Sequence, residues 1–160
     1  MTRDADTQEE RRRRRRLASA AKQGLRDLRI ELGVLGHRVG TRVELKDLDL
    51  DCLDVIARHG PLGPSTLARR VGVHAATMTG ILSRLEDAGW IVRERVQTDR
   101  RAVVVRSVPD RQREVVRLYD GMNTALDGVL ADYTDEQLHT IVDFLRRATE
   151  AGRGSAADLA

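Results

Sequence analysis

Between Pro64 and Leu85 the apolar residues Leu67, Val71, Val73, Met78, Ile81, Leu82 and Leu85 recur at helical spacing on either side of Gly72. Such a pattern predicts two short helices joined by a turn of three or four residues, because each apolar stripe needs the other to leave water. Ala68 supplies the small contact where the helices cross, Gly72 takes the positive φ that a β-carbon opposes, and Val73 plugs the corner. With Met78 and Ile81 turned toward the first helix, the second presents His74, Thr77, Thr79, Ser83 and Arg84 outward. A helix with one buried stripe and one face of short polar side chains fits the major groove of duplex DNA, roughly 12 Å wide. The same pattern also describes an α-hairpin whose outer face is merely solvated, so the residues that follow carry the decision.

Gly89 stops the second helix, and Trp90-Ile-Val-Arg-Glu-Arg-Val96 follows, β-rich with apolar and charged positions interleaved. A polar turn over Gln97-Thr98-Asp99-Arg100-Arg101 leads into a second β-rich run, Ala102 to Val108, which predicts a hairpin with a cationic tip. A rigid ribbon holds such an arginine at a fixed distance from the preceding helix, where it enters a minor groove or clamps a phosphate. Asp99 is by charge a poor neighbour for DNA. Its expected role is to pair with an arginine and keep the tip in shape.

The run from Leu53 to Val73, the segment from Ile81 to Arg95 and the Asp99-Arg100-Arg101 tip resemble the MarR family of bacterial transcriptional regulators. The resemblance is close over residues 45 to 107, and the Asp-Arg-Arg tip is its most specific element. It implies a homodimer that binds a palindromic operator and responds to a small-molecule effector seated between the dimer helices and the DNA-binding lobe. Members often carry an arginine or another long polar residue at the place of Gly80. This chain has glycine there, and Ala75 and Ala76 present only methyl groups. Base reading is therefore expected from Thr77, Thr79 and His74, with Ala75 or Ala76 touching a thymine methyl, or from DNA shape sensed by Arg100 or Arg101. The full expected contact set is Ser65, Thr66, His74, Ala75, Ala76, Thr77, Thr79, Ser83, Arg84, Arg93, Arg95, Arg100 and Arg101, with Asp99 stabilising the wing.

A net charge of only +3 does not by itself announce a polyanion partner, but 26 of the 28 basic residues are arginine and many cluster in the two-helix segment, the hairpin and the N-terminus. A locally basic face suits nucleic acid even in a nearly neutral chain. Aromatic residues make up 2% of the sequence, which argues against stacking on single-stranded bases. No run of 18 apolar residues and no apolar leader segment is present, so a cytoplasmic protein without a membrane partner is expected. Cys52 is the sole cysteine and falls in line with Leu48, Val55 and Ile56, which reads as core packing rather than a reactive thiol. His37, His59, His74 and His139 are scattered, with no metal-ligand spacing, phosphate-cradling loop or nucleophile motif. No enzyme, metal or cofactor is expected.

The ends of the chain carry the remaining apolar stripes. Arg11 to Arg16 is unbroken and buries nothing, so residues 1–16 are expected as a flexible basic arm or a frayed helix start, either solvated or gripping DNA phosphates without regard to sequence. Leu17, Ala21, Leu25, Leu28, Leu32, Leu35 and Val39 then recur at spacings of three and four, a helix with one apolar seam over 17–44. Pro109 can open a further helix, with Val115, Val116, Leu118, Tyr119, Met122, Leu126, Val129 and Leu130 on its apolar face. Thr134 to Gln137 has capping-box spacing ahead of a last helix with Leu138, Ile141, Val142, Phe144 and Leu145 inside. Three such stripes exceed what one small winged domain covers; a second copy would cover them, and so would an intramolecular bundle. The expected fold is mainly α with a small β-hairpin wing: a winged helix-turn-helix over 45–108, dimerisation helices over 17–44 and 109–151, and a disordered tail over 152–160. Two further readings stand beside DNA-binding regulation, a winged-helix protein-interaction module and a regulator that senses thiol oxidation or metal.

Overall fold

The computed structural model describes the backbone of residues 2–96 and 99–159, and the side chains of residues 8–95 and 102–159. The elements run α1 (Thr2–Arg42), α2 (Asp47–His59), α3 (Pro64–Val71), α4 (Ala75–Asp87), β1 (Ile91–Val96), β2 (Asp99–Ser107), α5 (Pro109–Leu118), α6 (Asp120–Leu130) and α7 (Asp135–Ala157). They divide into two units, Met1–Val115 and Val116–Ala160.

In the first unit the core forms where α2, α3, α4 and the root of the hairpin meet. Cys52, Leu53 and Ile56 come from α2, Leu67 and Ala68 from α3, Met78, Ile81, Leu82 and Leu85 from α4, and Trp90, Ile91 and Val105 from the hairpin. Each fully buried aliphatic side chain contributes about 1.5–3 kcal/mol relative to exposure, so the four α4 residues alone fix which face of that helix points inward. The two strands pair antiparallel from Ile91↔Ser107 to Arg95↔Val103, and the register shifts between Arg95 and Val96. Leu62 adds a one-residue bridge to Val105, its amide donating at 3.2 Å and its carbonyl accepting at 2.8 Å. That bridge sews the loop ahead of α3 to the hairpin.

α1 is continuous from Thr2 to Arg42. The Arg11–Arg16 tract is thus helical, where the sequence left a flexible arm and a frayed helix start both open. Arginine is a strong helix former, and Glu9 and Glu10 stand one turn ahead of Arg13 and Arg14, so local propensity carries the helix through the charge run. α1 first becomes buried at Val39 and Gly40. A β-carbon on Gly40 would lie 2.8 Å from the carbonyl oxygen of Leu45, so only glycine allows the chain to turn back onto α2 there. Besides its seam, α1 exposes Ile30 and Val34, which lie on the opposite side of the helix from Leu28, Leu32 and Leu35 at 100° per residue.

In the second unit the apolar run from Val116 to Leu130 is interrupted at Tyr119, so two helices stand where one long apolar face was read. α7 opens on the expected capping box: the Gln137 amide donates to Thr134 Oγ1 at 3.3 Å and the Thr134 amide donates to Gln137 Oε1 at 2.9 Å. The helix continues to Ala157, so most of the segment expected as a disordered tail is helical; Ala151, Ala156 and Ala157 favour helix strongly enough to outweigh Gly152 and Gly154. No residue of α5, α6 or α7 is buried, and Val116, Leu126, Val129, Leu130, Val142, Phe144 and Leu145 are exposed.

Candidate nucleic-acid interface

α3 begins with Pro64 in its first turn behind Gly63 and ends at Gly72, whose φ of 75° is left-handed. The amides of Gly72 and Val73 both donate to the Ala68 carbonyl, at 2.9 and 3.0 Å. Closing the helix end this way turns the chain within two residues and delivers it into α4. Val73 packs against the core from the corner.

α4 buries Met78, Ile81, Leu82 and Leu85 to 1% exposure or less. His74, Ala75, Ala76, Thr77, Thr79 and Ser83 are all exposed on the opposite side. Thr79 Oγ1 donates to the Ala75 carbonyl at 3.0 Å. Toward an outside partner this hydroxyl therefore presents its methyl and its acceptor lone pairs. The N-cap residue His74 makes no side-chain cap, so the first-turn amides of α4 face outward past two alanine methyls. Short side chains and uncapped amides let a helix terminus come close to a phosphate, which gives Ala75 and Ala76 a physical use. On α3, Ser65 is exposed and Thr66 half-buried.

Arg84 has a partner that sequence reasoning missed. Its Nη2 and Nε donate to Asp49 Oδ1 and Oδ2 at 2.7 and 2.9 Å, with the carboxylate 4% exposed and the guanidinium side chain 47% exposed. That hydrogen bond foremost holds the Arg84 guanidinium above its ordinary pKa. The pair ties the first turn of α2 to the last turn of α4, so Arg84 fixes the roll of the helix and keeps Nη1 as the nitrogen not engaged by Asp49. A signal for Asp49 was present in the sequence: with Cys52, Leu53 and Ile56 it makes an i, i+3, i+4, i+7 series, a carboxylate inside a buried stripe that demands a cation.

On the hairpin, Arg93 Nε pairs with Glu86 Oε2 of α4 at 3.0 Å, an ion pair that couples the wing to the helix before it. Arg95 is exposed, and Arg106 Nε reaches Glu94 Oε2 across the strands at 3.4 Å. Residues Asp99, Arg100 and Arg101 contribute backbone to β2, while their side chains, and Gln97 and Thr98 entirely, lie outside the described residues. The structure thus brings Ser65, His74 to Thr77, Thr79, Ser83 and Arg84 onto one helix-turn-helix and places Arg93 and Arg95 on the adjoining ribbon. Arg111 of α5, also missed, lies over the Trp90 ring at 4.0 Å from its centroid, where the ring face attracts the cation.

Burial raises the Cys52 thiol to about 12, with the nearby Asp49 and Asp51 carboxylates adding to the effect. Among the described residues no group of three His, Cys, Asp or Glu side chains is placed to hold a metal ion, and no helix is long and apolar enough to cross a membrane.

Residues 45–103 match the family model described as MarR family. That segment runs from the loop before α2 into β2 and is similar to a MarR-family winged helix-turn-helix. Among curated proteins, the chain is similar to the uncharacterized HTH-type transcriptional regulator YcgE of Bacillus subtilis, 27% identical over 118 residues that cover 73% of this chain and 77% of the relative. It is also similar to the HTH-type transcriptional repressor YetL of the same organism, 27% identical over 56% of this chain and 53% of that protein. Solved structures establish the fold over most of the chain. A MarR family protein from Bacillus stearothermophilus superposes with a TM-score of 0.66 at 20% identity, covering 85% of this chain and 95% of that one. The crystal structure of MarR gives 0.62 at 22%, covering 86% and 93%.

Proposed function

We propose that this MarR-family chain is a homodimeric transcriptional repressor of the cytoplasm that binds a palindromic DNA operator and is released by a small-molecule effector. The observation that carries the reading is the division of α4: four side chains sealed into the core on one face, and Thr77, Thr79 and Ser83 exposed on the other, beside a paired β-ribbon joined to the helix by Arg93 and Glu86. A helix so divided enters a major groove with its N-terminal residues at the base edges, while the ribbon reaches the neighbouring backbone.

Dimerisation is supported by apolar surface that the single chain leaves in water. α1 exposes Leu17, Leu28, Ile30, Leu32 and Val34, and the second unit exposes Val116, Leu126, Val129, Val142, Phe144 and Leu145. Apolar residues on both sides of α1 fit a helix packed between partners. Two-fold symmetry would set two copies of α4 about 34–36 Å apart, one turn of B-form DNA.

The test is an anisotropy titration against a duplex from the region upstream of the gene, at several salt concentrations, with sedimentation of the free protein. The expected result is a dimer whose log affinity falls with log salt by about 0.9 per phosphate neutralised, and a preference for the upstream duplex that Thr77→Ala and Thr79→Ala reduce. Arg101→Ala is expected to weaken binding severalfold. A monomer at micromolar concentration, or equal affinity for upstream and random duplexes, would overturn the proposal and favour a protein-interaction module.

A further inference from the structure

We infer that the Arg11–Arg16 segment of α1 is a second nucleic-acid site, one that grips the phosphates of duplex DNA outside the stretch held by α4 and the wing, without reading sequence. All six arginines are exposed, and among the described residues none makes an ion pair or hydrogen bond. Along a helix they occupy about 8 Å of rise and, at 100° per residue, surround the axis completely. No other part of the molecule is charged in this way. From Gln8 to Arg29 there are nine cations and three anions, a net of +6, whereas the whole chain carries +3, so the remainder is net negative and the chain's basic character resides in this one helix.

Helical structure makes the segment a site instead of a solvated tail. Arg11 and Arg15, Arg12 and Arg16, and the three pairs three residues apart are like charges on adjacent turns, which oppose one another. A polyanion converts each of those repulsions into attraction. Duplex DNA, with one phosphate charge per roughly 1.7 Å of axis, offers the matching density, and it is the polyanion to which the winged domain already brings the chain. Arg16 lies 23 residues before Val39, where α1 first enters the core, or about 35 Å along the helix. The cluster therefore stands apart from the winged domain, on a stiff rod. A helix charged all round turns about half its arginines to any one surface, so each chain would neutralise about three phosphates and add two to three to the salt slope at 0.9 per contact.

The choice of duplex DNA as the polyanion rests on the proposed function, and the experiment separates failure of the one from failure of the other. The experiment compares the full chain with the quadruple variant Arg12→Gln, Arg13→Gln, Arg15→Gln, Arg16→Gln, which keeps good helix formers, and with Ala75→Glu, Ala76→Glu, which sets carboxylates at the N-terminus of α4. Each is titrated by anisotropy against a 40-base-pair random duplex, a 40-base-pair upstream duplex and anionic phosphatidylglycerol vesicles, with circular dichroism confirming equal helix content. The quadruple variant, which removes four of the six arginines, is expected to lose severalfold to tenfold in affinity for the random duplex, with its salt slope lowered by about two, while keeping its preference for the upstream sequence. The α4 variant is expected to lose that preference while the share of the random-duplex salt slope that depends on the arginines persists. Energy transfer between two separately labelled duplexes then shows whether the arginines hold DNA flanking the operator or a second molecule. An unchanged salt slope in the quadruple variant, or vesicle binding that depends on the arginines while random-duplex binding does not, would overturn the inference.

Discussion

Replacing Gly80 with alanine is expected to stabilise the folded protein without harming its grip on DNA. Gly80 lies inside α4, and a β-carbon built there meets only Arg84 Nη1, at 3.6 Å, an ordinary van der Waals distance. No close approach therefore requires glycine. In a helix interior glycine is less favourable than alanine by about 0.8–1.0 kcal/mol, chiefly because it loses more backbone freedom on folding. For a chain of this size that difference raises the melting midpoint by about 2–4 °C. Thermal unfolding followed by circular dichroism, at fixed protein concentration, measures it. Because the added methyl joins Thr77 and Ser83 on the outward face, upstream-duplex affinity is measured in parallel and is expected to stay within about twofold, since long side chains are common in the resembling family at this place. A midpoint that is unchanged or lower would refute the reasoning, because it would mean that the backbone at Gly80 is held by something a methyl displaces.

Leu85 is fully buried beneath the end of α4, so Leu85→Ala is expected to destabilise by about 2–5 kcal/mol, read as a shift of the urea midpoint at unchanged slope. Cys52, raised to about 12, is expected to resist a thiol-alkylating reagent at pH 8 until the protein unfolds. Because its folded value exceeds the ordinary thiol value, the stability linked to this group is complete below about pH 9 and is lost as pH rises toward 12; rapid labelling of the native protein, or loss of induction in Cys52→Ser, would revive a thiol sensor. Thr134→Ala removes the side chain that caps α7 and is expected to cost about 0.5–2 kcal/mol, with faster amide exchange confined to the first turn of that helix.

The winged domain was legible because its helices are short, amphipathic and punctuated. Gly72 and Gly89 both take positive φ, at 75° and 73°, where the sequence placed the turn and the helix stop, and the buried stripe of α4 matches the apolar spacing residue for residue. The charge-rich ends were read less well. Six adjacent arginines suggested a chain repelled out of structure, whereas local helix propensity carries α1 through them, and the glycines near the C-terminus do not halt α7 before Ala157. Long-range pairings were the least visible. Nothing within a helical window connects Asp49 to Arg84, 35 residues away, and Leu62 joins Val105 through backbone groups that every residue carries. Such partners emerge only once three helices and a ribbon close on one another.

Trp90 is the single tryptophan of the chain, sealed to 2% exposure with the Arg111 guanidinium seated on its ring. Its amide and carbonyl bond to Leu85 and Val108, so the indole marks the junction where recognition helix, ribbon and α5 converge. Tryptophan emission from this protein accordingly reports one place only. If an effector shifts α5 relative to the ribbon, the cation leaves the indole and the spectrum moves, giving an optical readout of induction that needs no attached dye.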